Sequence, residues 1–203
     1  MKSYSEIETT SKRASKAAGY SWGIAEEVGK NIRLLEMFGL PGIKSLIDYY
    51  NLKKEKKFEN LKLINKENKG EKYEFCPIIS GISFLDQIKS LENLNEIKFE
   101  KISHPLLFLP FVSRASEVIG KRLLLKLNEI EFLLNFNISI RSNLLKTEII
   151  KDANIATVKF LENSDSFTEE EWNQLYKLSE ETFVEESESL KENAAGAGLT
   201  DND

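Results

Sequence analysis

The chain has 203 residues, of which 41% are hydrophobic and 30% are charged, and its formal net charge is −5. These fractions are typical of a folded globular domain and exclude a disordered or fibrous protein. No apolar run reaches the roughly 20 residues that cross a bilayer, and the N-terminus "MKSYSEIETTSKR" lacks the apolar core of a signal peptide. We therefore expect a cytoplasmic protein that does not enter a membrane.

The cysteine and histidine content limits the chemistry. Cys76 and His104 are the only residues of their kinds, so neither an internal disulfide framework nor a His/Cys zinc site is expected. An acidic chain also lacks the basic surface that binds nucleic acids. The lysines between residues 51 and 72 alternate with glutamates, which is typical of a solvated connector. The sequence thus predicts no metal and no nucleic-acid partner, and it leaves any cofactor unassigned.

Residues 1–50 are predicted to be helical. Ser3 and Glu6 have the spacing of a capping box, and Gly19 is a suitable stop for this first helix. A second helix is predicted to begin near Ser21, because apolar residues follow at helical spacing. These residues are Ile24, Val28, Leu35 and Phe38.

The stretch "PGIKSLIDYY" predicts a short third helix, with Pro41 near its first turn. Two glycines, Gly23 and Gly29, lie in the second helix, where each costs on the order of 1 kcal/mol relative to alanine. We therefore expect another backbone or a large ring to pack closely against at least one of them.

Residues 58–162 are predicted to be mainly strands. The runs "YEFCPIISGI", "EIKFEKI", "PLLFLPFV", "KRLLLKL", "EIEFLLNF" and "IATVKFLE" are short and apolar or alternating, with Gly, Pro and Asn between them. One helix is predicted among them, over "SFLDQIKSL" at residues 83–91. Because runs this apolar cannot face water on both sides, we expect residues 106–108 and 123–125 to be largely buried.

A C-terminal helix is predicted over residues 168–186, because Thr168 and Glu171 have capping-box spacing. One side of this helix is predicted to carry Trp172, Leu175, Tyr176, Ser179 and Phe183. A tail over residues 193–203 follows. Helices at both ends with strands between them predict a single α+β domain over residues 1–203, with a largely antiparallel sheet packed against N-terminal and C-terminal helices.

Four stretches occur together in this order: "AAGYSWGIAEE" at residues 17–27, "CP" at 76–77, "HPLLFLPF" at 104–111 and "GAGLTDND" at 196–203. On these stretches the chain resembles a bacterial family catalogued as domain of unknown function 3726, over essentially its whole length. That family has no established activity. The resemblance therefore implies kinship and no reaction.

Tyr20, Ser21 and Trp22 are candidate ligand-binding residues at the junction of the first two helices. The N-terminal amides of the second helix can bind an anion, with Ser21 as the cap and two aromatic faces beside it. The glycines nearby do not follow the dinucleotide or phosphate-loop spacing, which argues against a nucleotide. The alternative is a tightly packed corner between helices that contacts no ligand.

Cys76 and His104 are candidate catalytic residues, since a thiolate activated by an imidazole is a nucleophile. The alternative for Cys76 is an inert buried thiol in a strand, where Pro77 keeps it extended. His104, at the mouth of an apolar strand, is also a candidate acid, base or ligand-binding group in a pocket. The alternative for His104 is a structural histidine that is hydrogen-bonded to the backbone.

The C-terminal tail is a third candidate region. Asp201, Asp203 and the terminal carboxylate place three negative charges in three residues, and a frayed end is one interpretation. Leu199 and the glycines beside it favour another, in which residues 196–203 fold back. The carboxylates would then lie near the amides at the start of the second helix or near a cation, which makes Asp201 and Asp203 candidate ligand-binding residues.

Taken together, these regions predict a protein that binds a small molecule in a pocket near the first helix junction, His104 and the tail. Whether such a protein is an enzyme is left open. The alternative is a non-catalytic interaction or accessory subunit, in which the same stretches form a packed core and a surface for a protein partner.

Overall fold

A computed structural model of the chain describes residues 2–135, 139–144 and 148–182. The chain divides into two compact units, residues 1–163 and residues 164–203, and each is described by itself. The tail at residues 193–203, with Asp201 and Asp203, lies outside the described residues.

The first unit begins with the three predicted helices. They are α1 (Tyr4–Ala17), α2 (Trp22–Met37) and α3 (Gly42–Glu55). The predicted capping box of α1 is confirmed, because Ser3 accepts from the backbone of Glu6 while the Glu6 side chain accepts from the backbone of Ser3. Ser21 caps α2 as predicted. The third helix is longer than the predicted stretch and ends only after its two lysines, Lys53 and Lys54.

A close approach between α1 and α2 depends on Gly29. A Cβ atom built at Gly29 would lie 2.7 Å from the backbone oxygen of Glu8 and 3.2 Å from the Cβ of Lys12. The prediction that a backbone packs against one of the two glycines is therefore confirmed at Gly29. At Gly23 a Cβ would meet nothing within 4 Å.

One six-stranded sheet forms the middle of this unit. In chain order, the remaining elements are β1 (Glu67–Asn68), α4 (Pro77–Leu91), β2 (Glu96–Ser103), a 3-10 turn (Pro105–Leu107), α5 (Leu109–Ile119), β3 (Leu123–Leu127), β4 (Ile130–Asn135), β5 (Ser139–Ser142) and β6 (Asp152–Phe160). The strand order is β1-β2-β6-β3-β4-β5. Among the described strands, β1 and β2 form the one parallel pair, and the other neighbouring strands are antiparallel. The predicted α+β class with a largely antiparallel sheet is confirmed.

One face of the sheet is buried, and the other is partly exposed and carries both polar and apolar side chains. Alternate residues such as Ile97 and Phe99 of β2 are fully buried, whereas Lys98 between them is exposed. The buried face packs against helices, and α5 contacts both β3 and β4. Residues 106–108 are buried as predicted, and so are Leu123 and Leu125, while Leu124 is half-buried.

Two of the predicted strands are wrong. The run "PLLFLPFV" forms the 3-10 turn and the first part of α5, and "CPIISGI" forms the start of α4, which extends the predicted helix at 83–91 back to Pro77. In α4 and α5 a proline occupies the first turn, where its missing N–H costs no hydrogen bond. The runs interpreted as strands coincide with the first turns of the two helices, residues 77–81 and 109–113, which are buried almost throughout, so these short runs show no one-sided helical pattern.

The described part of the second unit contains α6 (Glu169–Glu180). Its predicted capping box is confirmed, since Thr168 and Glu171 exchange both hydrogen bonds. No helix among the described residues of either unit combines the length and the apolar character that crossing a membrane requires.

Candidate functional site

The junction between α1 and α2 forms one wall of a cleft. Gly19 adopts a left-handed conformation, with φ 94°, and so turns the chain after α1. The next residue, Tyr20, enters the core with 7% of its surface exposed. Ser21 stays exposed and caps α2 by accepting from the backbone nitrogen of Ile24 at 3.4 Å. The sharp turn therefore places an aromatic ring and a helix start side by side.

Tyr20, Tyr49 of α3 and Cys76 meet at the base of this cleft. The Tyr49 hydroxyl donates to the Cys76 sulfur at 3.0 Å, and the Tyr20 hydroxyl lies 3.3 Å from that of Tyr49 and 3.6 Å from the sulfur. Cys76 is also the N-cap of α4, where its sulfur accepts from the backbone nitrogen of Ile79 at 3.4 Å. The sulfur, which is 2% exposed, thus links Tyr20 in the turn between α1 and α2 to Tyr49 of α3 and to the first turn of α4.

Both tyrosines of this cluster remain protonated at neutral pH. Burial, and after it the neighbouring Cys76, raise the pKa of Tyr20 and of Tyr49 above the ordinary value of 10. Their hydroxyls therefore act as hydrogen-bond donors and acceptors, not as bases.

The cleft above this cluster has a volume of about 480 Å³, which lies within the range of small-molecule sites. Its lining combines aromatic and apolar side chains with three lysines, Lys53, Lys56 and Lys57, and includes no carboxylate. Phe58 also lines the cleft and packs against Tyr49, with 5.1 Å between the ring centroids. We call this space the Tyr20 cleft.

Lys53 is held in place at the edge of the Tyr20 cleft. Its ammonium nitrogen donates to the backbone oxygen of Ala18 at 2.9 Å and lies 4.0 Å from the centroid of the Tyr20 ring. The side chains of Lys56 and Lys57, which follow the end of α3, are exposed.

His104 belongs to a separate network behind Tyr49. It follows β2 in a left-handed conformation with φ 44°, and it is 1% exposed. Its Nε2 lies 3.0 Å from the Asp48 carboxylate, and its Nδ1 lies 2.8 Å from the Ser103 hydroxyl. The ring of Tyr49 packs edge-on against the imidazole at 5.5 Å.

The protonation states in this network follow from its geometry. The hydrogen bond from His104 holds the pKa of Asp48 below its ordinary value, so the carboxylate is ionised and can only accept. Nε2 of His104 therefore carries a proton and donates to Asp48, and Nδ1 accepts from the Ser103 hydroxyl. Burial, opposed by the bond to Asp48, lowers the pKa of His104 below 6.5, which keeps the imidazole neutral.

The contacts resemble those of a serine nucleophile with a histidine and an aspartate, but the hydroxyl of Ser103 is fully buried. A substrate has no access to it in this conformation. The network instead satisfies three buried or half-buried polar groups and fixes the chain at the end of β2. His104 is bonded to side chains through its ring and to the Lys151 oxygen through its own backbone nitrogen, at 2.8 Å.

The structure brings some of the predicted site residues together and separates others. Tyr20, Ser21 and Cys76 line the Tyr20 cleft, whereas Trp22 and His104 do not belong to its lining. Trp22 is exposed and lies under Lys16, whose nitrogen is 5.5 Å from the ring centroid. Cys76 and His104 have different hydrogen-bond partners, and both of them contact Tyr49.

Sequence reasoning missed the three cleft lysines. They lie in "NLKKEKKFEN", which was interpreted as a solvated connector because glutamates alternate with the lysines. Among the described residues, no three His, Cys, Asp or Glu side chains gather closely enough to hold a metal ion.

Comparison with known proteins links the first part of the chain to a family. Residues 2–75 match the model of a family described as "Protein of unknown function (DUF3726)", which confirms the predicted resemblance over this part of the chain. No curated protein and no solved structure matches the chain.

Proposed function

We propose, from the site alone, that the chain binds a small anionic molecule in the Tyr20 cleft. The family model that residues 2–75 match is described as a protein of unknown function and so suggests no activity. The observation that carries this proposal is a cleft lined by three lysines and no carboxylate on a chain of net charge −5.

The charge of the cleft favours an anion over other ligands. On an acidic protein most of the surface repels anions, and a concave group of lysines is a local exception that raises their concentration. Lys53 is already fixed by Ala18 and by the Tyr20 ring, so its binding position costs little further side-chain entropy. Lys56 and Lys57 have exposed side chains that can close on a bound group.

The start of α2 also favours an anionic ligand. Ser21 lines the cleft and marks the end of α2 at which the helix dipole is positive. The Phe58 ring and the Ile24 and Ile79 side chains supply apolar surface for the uncharged part of a ligand. These features together suit a compact organic anion, such as a phosphorylated or carboxylated metabolite.

The site supports binding better than catalysis. The two tyrosines at its base stay protonated because burial raises their pKa, and His104 lies behind Tyr49, outside the lining. Because the hydroxyls of the tyrosines bond to each other and to Cys76, they shape the base of the cleft, and the lysines are the donors to a ligand.

The test is calorimetric titration of the full chain with inorganic phosphate and with a panel of phosphorylated and carboxylated metabolites. We expect the double variant Lys56→Gln/Lys57→Gln to lose affinity by about tenfold or more, because it removes two charge-assisted contacts. The matched control is Lys62→Gln/Lys89→Gln, which changes the net charge equally at two exposed positions outside the cleft lining. Equal losses in both variants, or no binding of any anion by the unaltered chain, would contradict the proposal.

A further inference from the structure

The second unit carries an exposed apolar helix face. Five large apolar side chains in and next to α6 are 46–64% exposed: Phe167, Trp172, Leu175, Tyr176 and Leu178. None of the twelve residues of α6 is buried. Single exposed apolar residues are common, but a cluster of this kind on one short helix is typical of a protein-binding surface.

The face is held in shape before any partner binds. The capping box between Thr168 and Glu171 satisfies the first turn of α6. Phe167 stacks on Trp172, with 5.7 Å between the ring centroids, and so extends the apolar surface beyond the helix start. Trp172, Leu175 and Tyr176 have the i, i+3, i+4 spacing of a helix that docks into a groove.

The residues around this face are strongly acidic. Residues 164–182 contain six acidic residues and one basic residue, Lys177. The acidic residues occur at both ends of α6: three glutamates fill the first turn, and Glu180 and Glu181 close it. A surface that docks here must therefore tolerate negative charge at both ends of the helix.

We propose that α6 is a docking helix, whose face of Trp172, Leu175 and Tyr176 inserts into an apolar groove of a partner protein rimmed by lysine and arginine side chains. The acidic residues at both ends of α6 favour a partner with a basic rim, because opposite charges across an interface attract each other. A second copy of the chain would bring the same acidic ends to the interface, and an anionic membrane would repel them. This inference goes beyond the proposed anion site and uses none of its residues.

The partner is sought by photo-crosslinking of the full chain in the cells that make it. We replace Trp172 with p-benzoylphenylalanine in one protein and, as a matched control, Lys177 on the polar side of the same helix in another. We expect one discrete crosslinked partner from position 172 and none from position 177. The identified partner is then purified, and its affinity for the unaltered chain is measured at several salt concentrations.

We expect Trp172→Ala to weaken this affinity by on the order of tenfold or more, as for a central aromatic anchor. Glu180→Gln/Glu181→Gln should weaken it in low salt, whereas Lys177→Ala should not. The proposal is overturned by an absence of crosslinks at position 172, by equal crosslinking at both positions or by crosslinking to a second copy. Sedimentation of the chain with phosphatidylcholine vesicles, or an affinity that does not respond to salt, would also overturn it.

Discussion

His104 keeps a left-handed backbone that residues other than glycine and asparagine rarely adopt. Its two ring nitrogens bond to Ser103 and Asp48, and these bonds offset the strain of that conformation. Because burial holds the pKa of His104 below 6.5, the unfolded chain binds a proton more readily than the folded chain. Stability should therefore fall as the pH drops through about 6.5 toward the lower pKa of the folded state.

We predict that His104→Asn removes this pH dependence. Asparagine tolerates the left-handed conformation but does not titrate, and the chain contains no other histidine. Urea unfolding of both proteins between about pH 5 and pH 7 measures the difference, since few other groups titrate there. Parallel stability curves for the two proteins in this range would show that His104 is not the titrating group.

The candidate site was predictable from the sequence only in part. The helix junction indicates Tyr20 and Ser21, and Cys76 stands out because it is the only cysteine. The hydrogen bonds from Tyr49 to Cys76 and from His104 to Asp48 join residues 27 and 56 positions apart, so no local pattern indicates them. The lysines were missed because glutamates such as Glu55 alternate with them in sequence, and only the fold shows which of these residues line the Tyr20 cleft.

At the scale of the elements, the packing of α1 against α2 depends on one small residue. We predict that Gly29→Ala destabilises the fold by about 1–3 kcal/mol, because its methyl group would overlap the backbone oxygen of Glu8. The control is Gly23→Ala in the same helix, where the methyl group meets open space and helix propensity favours alanine by up to about 1 kcal/mol. Thermal unfolding measures both, and a shift of the two variants in the same direction would contradict the packing argument.

Surface helices were easier to predict than buried ones. In α2 and α6 the apolar residues alternate with polar ones at helical spacing, and their caps are visible in the sequence. In α4 and α5 the first turns are buried almost throughout, so the start of each helix is a continuous apolar run, and its proline resembles a strand break. A short apolar run does not by itself distinguish a buried helix from a buried strand.

At the scale of the whole molecule, the hydrophobic core formed by the described residues lies in the first unit. Its buried members run from Tyr20 to Val158 among the described residues, and α6 contributes none. We predict that a chain ending at Asn163 folds with a melting temperature within a few degrees of the full chain and still binds phosphate. Circular dichroism and calorimetry test this, and failure of the shortened chain to fold would mean that residues 164–203 are needed for the core.

The family match ends just before part of the Tyr20 cleft. Residues 2–75 include the cleft lining from Gly19 to Asn60, whereas Cys76 and Ile79 at the start of α4 lie beyond the match. The matched region therefore supplies all three lysines of the cleft. The start of the following helix supplies Cys76, whose sulfur contacts the hydroxyls of Tyr20 and Tyr49 at the base of the cleft.

The position of β6 in the sheet delays sheet formation while the chain is synthesised on the ribosome. Of the described strands, β6 is the last to be synthesised, yet it lies between β2 and β3 and pairs with both of them. Until residues 152–160 emerge, the nascent chain must carry the backbone edges of β2 and β3 unpaired, next to apolar side chains such as Ile97 and Leu125. Such edges promote aggregation during synthesis, so slow emergence of the segment before β6 would expose the growing chain to chaperones for longer.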